Sequence, residues 1–304
     1  MVASYVSRAR LVSAYCPEYP EALCDLPDAP CVFRVVGELP ALGRTIAIVG
    51  TRRADEEALD YAHGIAKEAA LRGIVVVSGG AVGIDRAAHE GAIEGGGRTV
   101  VVLPTGLDAP YPARNADLFA RVVRAGCLLT ETEDGIAPQP GRFLTRNRLV
   151  AALGQSLVVV QAPSRSGALS TARLARRLGR KVFAVPASPW DPRGSGNLGL
   201  LEAGARICAR PADVLSETRT AGGEAPKSRA ASAPEANDFS NLSDAEQNIL
   251  RELSGRARHA DELCQRTGIP VFQVQQSILR LVVRGLVEEK PGGRYQRCRA
   301  LRKP

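Results

Sequence analysis

Aromatic side chains are scarce in this 304-residue chain, at 4%, with a single tryptophan. A ligand surface built mainly from stacked rings is thereby excluded, and attraction to an extended ligand must come largely from charge. Histidine is rarer still, with three residues at 63, 89 and 259 far apart in sequence. The seven cysteines, at 16, 24, 31, 127, 208, 264 and 298, include no C-x-x-C pair. Metal-site spacing is thus absent, and reduced structural thiols are the better reading. No metal and no cofactor is expected. No apolar run approaches the ~20 residues of a membrane span, and no charged-then-apolar leader opens the chain. The expectation is a soluble, cytoplasmic protein without membrane attachment.

A further absence is local. Between Asp134 and Asp191 there is no Asp or Glu, yet that stretch holds nine basic residues: Arg142, Arg146, Arg148, Arg165, Arg173, Arg176, Arg177, Arg180 and Lys181. A solvated surface usually mixes signs, so an acid-free segment predicts a surface that follows a phosphodiester backbone. The whole chain carries a formal charge of +8 and a pI of 9.4, which points the same way. Thirty-five of its forty basic residues are arginine, suited to bidentate phosphate contact, although a GC-rich genome gives the same bias.

The stretch Thr45 to Asp85 organises the rest. Ile46-Ala47-Ile48-Val49 and Ile74-Val75-Val76-Val77 are continuous β-branched runs, the pattern of strands buried on both faces of a parallel sheet. Between them Ala58, Ala62, Ile65, Ala66, Ala69 and Ala70 recur at helical spacing and supply the crossover. Strands are predicted at 45–49, 74–78, 99–103, 127–130, 156–160 and 181–185, with a short one at 205–208 and another at 32–36. Helices are predicted at 55–71, 84–94, 115–125, 145–153, 168–179 and 198–203. This alternation defines an α/β fold, an extended Rossmann-like open parallel sheet, over residues 45–215. Residues 1–44 read as a short irregular segment and 216–241, rich in Ala, Ser, Gly, Pro and charge, as a disordered linker.

From 242 to 304 a separate module begins. Ser243-Asp244-Ala245-Glu246 is a capping box; a second helix fits 260–266, Gly268 marks a turn, and a third helix runs from Pro270 to Arg284. Leu286-Val287-Glu288 and Arg294-Tyr295-Gln296 flank Pro291-Gly292-Gly293, a hairpin signal. Three helices and a hairpin make a small winged helix-turn-helix domain. Its third helix exposes Gln273, Gln275, Gln276 and Arg280, with basic residues gathered from Arg294 to Lys303.

Three constellations carry candidate function. Gly50-Thr51-Arg52-Arg53 follows a buried strand at the sheet edge where anions bind. Ser78-Gly79-Gly80-Ala81-Val82-Gly83 is a second glycine turn, matching neither the dinucleotide nor the triphosphate pattern. Arg142-Phe143-Leu144-Thr145-Arg146-Asn147-Arg148 opens a helix after a Pro-rich loop, with Phe143 the best stacking candidate. No catalytic set assembles: His89 reads as a core residue, and Glu131 and Glu133 lack a partner placed by motif.

These motifs resemble the DprA/Smf family of DNA-processing proteins. IAIVGTRR, VVSGGAVGIDRAAHEGA, GGRTVVVLPTGLDAPYPARN, PGRFLTRNRLVAAL, SLVVVQAPSRSGALSTARLA and GRKVFAVPAS stand in that family's order, covering about 19–215, with a weaker likeness in the winged module. The resemblance implies a non-enzymatic homodimer that binds single-stranded DNA, protects it and delivers it to the RecA recombinase in natural transformation. Carried across residue by residue, it implies a DNA pocket of Gly50, Thr51, Arg52, Arg53, Gly79, Gly83, Arg146, Asn147 and Arg148, and Ser78, Gly80, Arg142, Phe143, Ser166 and Gly167 complete the candidate DNA-binding set. Two departures are visible: Val82 stands where relatives carry a polar residue, and the segment Gly196-Asn197-Leu198 shifts the usual asparagine. The eighteen residues before Tyr19 are expected not to encode the sterile-alpha-motif-like domain of many relatives.

Two other readings compete. The second glycine turn is also similar to that of nucleotide phosphoribohydrolases of the lysine-decarboxylase-like group, but the stretch Pro163 to Ala172, where those enzymes carry a catalytic Glu, has none. The winged module alone would fit a transcriptional regulator reading bases through its glutamines.

Overall fold

The computed structural model describes residues 3–216, 242–253, 256–283, 286–290 and 293–297. It divides into two compact units, Met1–Gly223 and Glu224–Pro304. The linker expected at 216–241 lies, apart from Ser216, outside the described residues, as do Pro291, Gly292 and the basic cluster beyond Arg297.

The first unit runs α1 (Ala3–Val6), β1 (Arg10–Ser13), β2 (Val32–Gly37), β3 (Thr45–Val49), α2 (Glu56–Leu71), β4 (Val75–Ser78), α3 (Ile84–Glu94) and β5 (Thr99–Val102). It continues with α4 (Ala116–Ala125), β6 (Gly126–Thr130), α5 (Pro140–Leu153), β7 (Ser156–Val159), α6 (Gly167–Arg177), β8 (Lys181–Ala184), α7 (Ser195–Glu202), β9 (Arg206–Ile207) and α8 (Pro211–Leu215). Among the described residues the strands form one nine-stranded sheet in the order β1-β2-β6-β5-β4-β3-β7-β8-β9. From β6 to β9 every pairing is parallel, as the β-branched runs predict. All residues of β3 and β4 are buried, so these strands form the centre of the core. On one face α2 and α3 pack Ala62, Ile65, Ala66, Ala88 and Ala92 against Ile46, Ile48 and Val76. Alanine on facing helices lets both lie close to the sheet.

Three features differ from the sequence expectation. The strand expected at 32–36 is β2, which pairs antiparallel with β6, and the segment before it adds an unforeseen strand, β1, antiparallel to β2. β1 is only four residues long with Arg10 and Leu11 exposed, too short to show an alternation. Helix α5 begins at Pro140, five residues before the predicted start, because a proline in the first turn lacks only an N–H that has no intrahelical partner there. The expected Asn197 displacement has a structural result: its side chain is fully buried, accepts the Ala162 N–H at 2.9 Å and donates to the carbonyls of Val159, Val160 and Val185 at 2.9 to 3.0 Å. It ties the ends of β7 and β8 to α7.

The second unit holds α9 (Asp244–Glu252), β10 (Arg258–His259), α10 (Ala260–Thr267), α11 (Val271–Val283), β11 (Val287–Lys290) and β12 (Arg294–Arg297). The capping box closes as predicted: the Ser243 N–H reaches Glu246 Oε2 at 2.8 Å and the Glu246 N–H reaches Ser243 Oγ at 3.3 Å. Gly268 adopts φ of 70° at the end of α10. Ile249, Leu250, Leu263, Val274, Ile278 and Leu281 form its core. The hairpin gains a third strand, β10, pairing with β12 in the order β10-β12-β11, which two residues could not announce from sequence.

Candidate functional site

At the carboxyl edge of the parallel sheet, the loops after β3, β4, β5 and β7 and the start of α5 enclose a cleft of about 750 Å³. Of the candidate residues, Gly50, Thr51, Arg52, Arg53, Gly79, Phe143, Arg146, Asn147, Ser166 and Gly167 line it. Tyr111 and Arg165 line it as well. Arg114 borders a small side pocket shared with Arg52 and Phe143.

The two glycine turns are stacked on one another. A Cβ on Gly83, which has φ of +79°, would stand 2.5 Å from the Thr51 carbonyl, and a Cβ on Gly50 would stand 2.5 Å from the Ile84 side chain. The Thr51 N–H donates to the Gln161 carbonyl at 2.7 Å, so this amide is engaged in the fold. The turn glycines thus serve close loop packing as much as ligand approach.

Five candidates do not line the cleft. Ser78 is fully buried and donates to the Ile48 carbonyl at 2.6 Å. Gly80 has φ of +67°, and its carbonyl accepts from Asn115 at 2.9 Å; Gly83 faces Thr51. Arg142 lies outside it. Arg148 is held by Asp28, with Nε at 2.9 Å from Oδ2, and by Glu131. Two residues on from Arg146 along a helix is about 200° of rotation, so Arg146 and Arg148 occupy opposite sides. The same ion pair occupies Glu131, whose carboxyl burial pushes up and Arg148 pulls back down.

Arg146 lines the cleft yet is only 5% exposed, and its guanidinium donates to the carbonyls of Gly79 and Val102. Burial lowers its pKa to about 10, against the opposing effect of Asp85. Asp85, also on the cleft, accepts the Ala81 N–H at 3.3 Å; burial raises its pKa, while Arg146 opposes the shift. Arg146 and Asp85 therefore brace the second turn from beneath. His89 is a core residue, as read from sequence: Nδ1 lies 2.7 Å from Thr99 Oγ1, and burial, then the Arg146 charge, lowers its pKa to about 3.

Many arginines elsewhere on the surface are paired. Arg10, Arg34, Arg72, Arg86, Arg98, Arg121, Arg180 and Arg193 all meet carboxylates. Arg52, Arg53, Arg114 and Arg165 are exposed and meet no carboxylate among the described residues. The Arg52 guanidinium lies 5.0 Å from the Phe143 ring centroid, and Tyr111 packs edge-on against Phe143 at 5.5 Å and 80°. Sequence reasoning singled out Phe143 but not Tyr111, Arg114 or Arg165 as parts of one site; their signal is position, since each lies in a loop at the carboxyl edge or at its rim.

The acid-free segment is not a continuous basic surface. Arg148 is neutralised by Asp28 and Glu131, and Arg180 by Asp25, all from outside the segment. Arg173, Arg176 and Arg177 remain exposed on α6, whereas Arg180 lies beyond its end.

Such an open, mostly parallel sheet, with stacked glycine turns and carboxylate-free arginines at its carboxyl edge, defines a Rossmann-like protein with a cationic cleft. Residues 10–219 match the family model of DNA recombination-mediator protein A, and residues 227–293 match the DprA winged helix domain. The chain therefore belongs to the DprA/Smf family. It is 41% identical over 253 residues to a DprA relative of Mycobacterium tuberculosis, covering 82% of this chain and 63% of that protein, less than two thirds of its length. The DNA processing protein DprA of Bacillus subtilis is 36% identical over 202 residues, covering 66% of this chain and 68% of that one. DNA processing protein A of Streptococcus pneumoniae superposes with a TM-score of 0.66 at 33% identity, over 71% of this chain and 76% of that chain. That of Helicobacter pylori, whose structure concerns its single-stranded DNA binding mode, superposes with a TM-score of 0.63 at 32% identity, over 69% and 95%.

Proposed function

We propose that this chain binds single-stranded DNA in the cleft, without catalysis, and passes the strand to a RecA-type recombinase during DNA uptake and recombination, acting as a homodimer in the cytoplasm. The observation that carries this reading is the set Arg52, Arg53, Arg114 and Arg165, four exposed cations without carboxylate partners among the described residues, around a cleft that also presents Tyr111 and Phe143. Guanidinium groups grip phosphates and rings receive unstacked bases, a combination suited to a flexible strand. Solved relatives point the same way through the single-strand binding of the Helicobacter protein. The stretch Pro163 to Ala172 offers no carboxylate, Glu131 is held by Arg148, and Asp85 is engaged beneath the second turn, which together favour binding over hydrolysis.

Fluorescence anisotropy with a labelled oligonucleotide tests the cleft. Arg52→Ala combined with Arg53→Ala is expected to weaken binding at least tenfold, on the order of 1.4 kcal/mol or more for two charge-assisted contacts. Unchanged affinity in that double variant would overturn the assignment. The recombinase step is tested separately, by strand exchange on DNA coated with single-strand binding protein; absence of stimulation would remove the mediator role while leaving the binding site intact.

A further inference from the structure

We infer that Trp190 is a stacking platform for one nucleobase of the strand as it leaves the cleft on the β8 side. This rests on the reading of the cleft as a single-strand site. Trp190 is the chain's only tryptophan and is 86% exposed. Tryptophan is highly buried on average, so an exposed indole calls for a partner. From residue 145 to residue 206 it is the one large hydrophobic side chain exposed to this degree. A protein interface needs a broader apolar centre, whereas a single base needs one ring.

Its exposure does not come from a loose loop. Trp190 sits between Pro189 and Pro192 in the connection from β8 to α7, and prolines fix the backbone on both sides. The Asp191 N–H donates to the Ser188 carbonyl at 3.0 Å, and Asp191 Oδ1 accepts the Arg193 N–H at 3.0 Å. The connection is also fastened to both loops that carry cleft arginines. Arg193 Nη1 lies 3.2 Å from Asp55 Oδ2, just beyond Arg53. The Ser164 N–H donates to Ser195 Oγ at 3.1 Å, next to Arg165. Arg193 is three steps along the chain from Trp190, which limits their Cα separation to about 11 Å. The backbone that carries the ring therefore lies at the same edge of the sheet as the cleft loops.

Local charge decides what this ring can receive. Arg193 is paired with both Asp55 and Asp191, so no free cation attracts a phosphate here. A neutral indole is suited instead to the face of a neutral base, with the phosphates held at Arg53 and Arg165.

With one tryptophan, indole emission from the intact chain reports Trp190 alone. Titration with oligothymidylate is expected to quench it, saturating at the strand concentration that saturates anisotropy. Trp190→Ala should weaken binding about tenfold, within the range for one base stacked on an aromatic ring, and Trp190→Phe should recover most of the loss. A strand of abasic nucleotides should bind wild type and Trp190→Ala alike. Binding with unchanged emission, together with wild-type affinity in Trp190→Ala, would overturn the proposal while the cleft reading stands. An emission maximum that shifts with protein concentration in the absence of any strand would overturn it too, assigning Trp190 to a contact between copies. If wild type fails to bind the strand at all, the cleft reading itself falls.

Discussion

Arg146 directs its charge inward. Its guanidinium satisfies two backbone carbonyls and offsets the buried Asp85 carboxylate. Removing it takes a donor from both carbonyls and the counter-charge from Asp85, so Arg146→Ala is expected to destabilise the first unit by about 3–5 kcal/mol in chemical denaturation. Retained stability with lost strand binding would instead make it a direct ligand contact. His89 sets a pH response of known sign. Its folded-state pKa of about 3 lies below the ordinary 6.5, so its contribution is complete above pH 6.5 and is lost as pH falls toward 3. Between pH 7 and pH 5 wild type should lose about 2 kcal/mol more than His89→Leu, at about 1.4 kcal/mol per unit below 6.5. Equal losses by urea unfolding would show that the ring is not held neutral.

Among the elements, the parallel strands and their crossover helices were legible because burial on both faces leaves continuous β-branched runs. Strand β2 was legible but its antiparallel pairing was not, since that depends on β6, more than ninety residues away in the register Arg34 to Thr130, and the four-residue β1 was not legible at all. In α5 the residue types were legible and their directions were not: Phe143, Arg146, Asn147 and Val150 line the cleft at helical spacing, while Arg148 turns toward Asp28. A run of arginines in sequence becomes two groups once wound at 3.6 residues per turn. The paired turns make an element-scale prediction. Gly83→Ala places a methyl against the Thr51 carbonyl at a positive φ, and should cost about 1–3 kcal/mol and separate the turns. A melting temperature equal to wild type would mean that the loops shift freely to admit it.

Across the whole molecule, the absence of acid over 135–190 was a true reading of composition and an incomplete one of charge. Asp25 and Asp28, brought in by the N-terminal segment, neutralise Arg180 and Arg148 from outside. No span of contiguous sequence could disclose this, because the compensating groups lie more than a hundred residues away. Among the described residues no helix is long and apolar enough to cross a membrane. The internal pairing also fixes how many small ions the protein can displace. Carboxylates already built into the fold are not shed when a strand arrives; only cations covered by mobile salt release it. With Arg52, Arg53, Arg114 and Arg165 as the contacting set, the logarithm of affinity should fall with the logarithm of salt at a slope of about −3, against about −6 if all nine basic residues of the acid-free segment took part. A titration across sodium chloride concentrations thus counts the arginines that contact the strand.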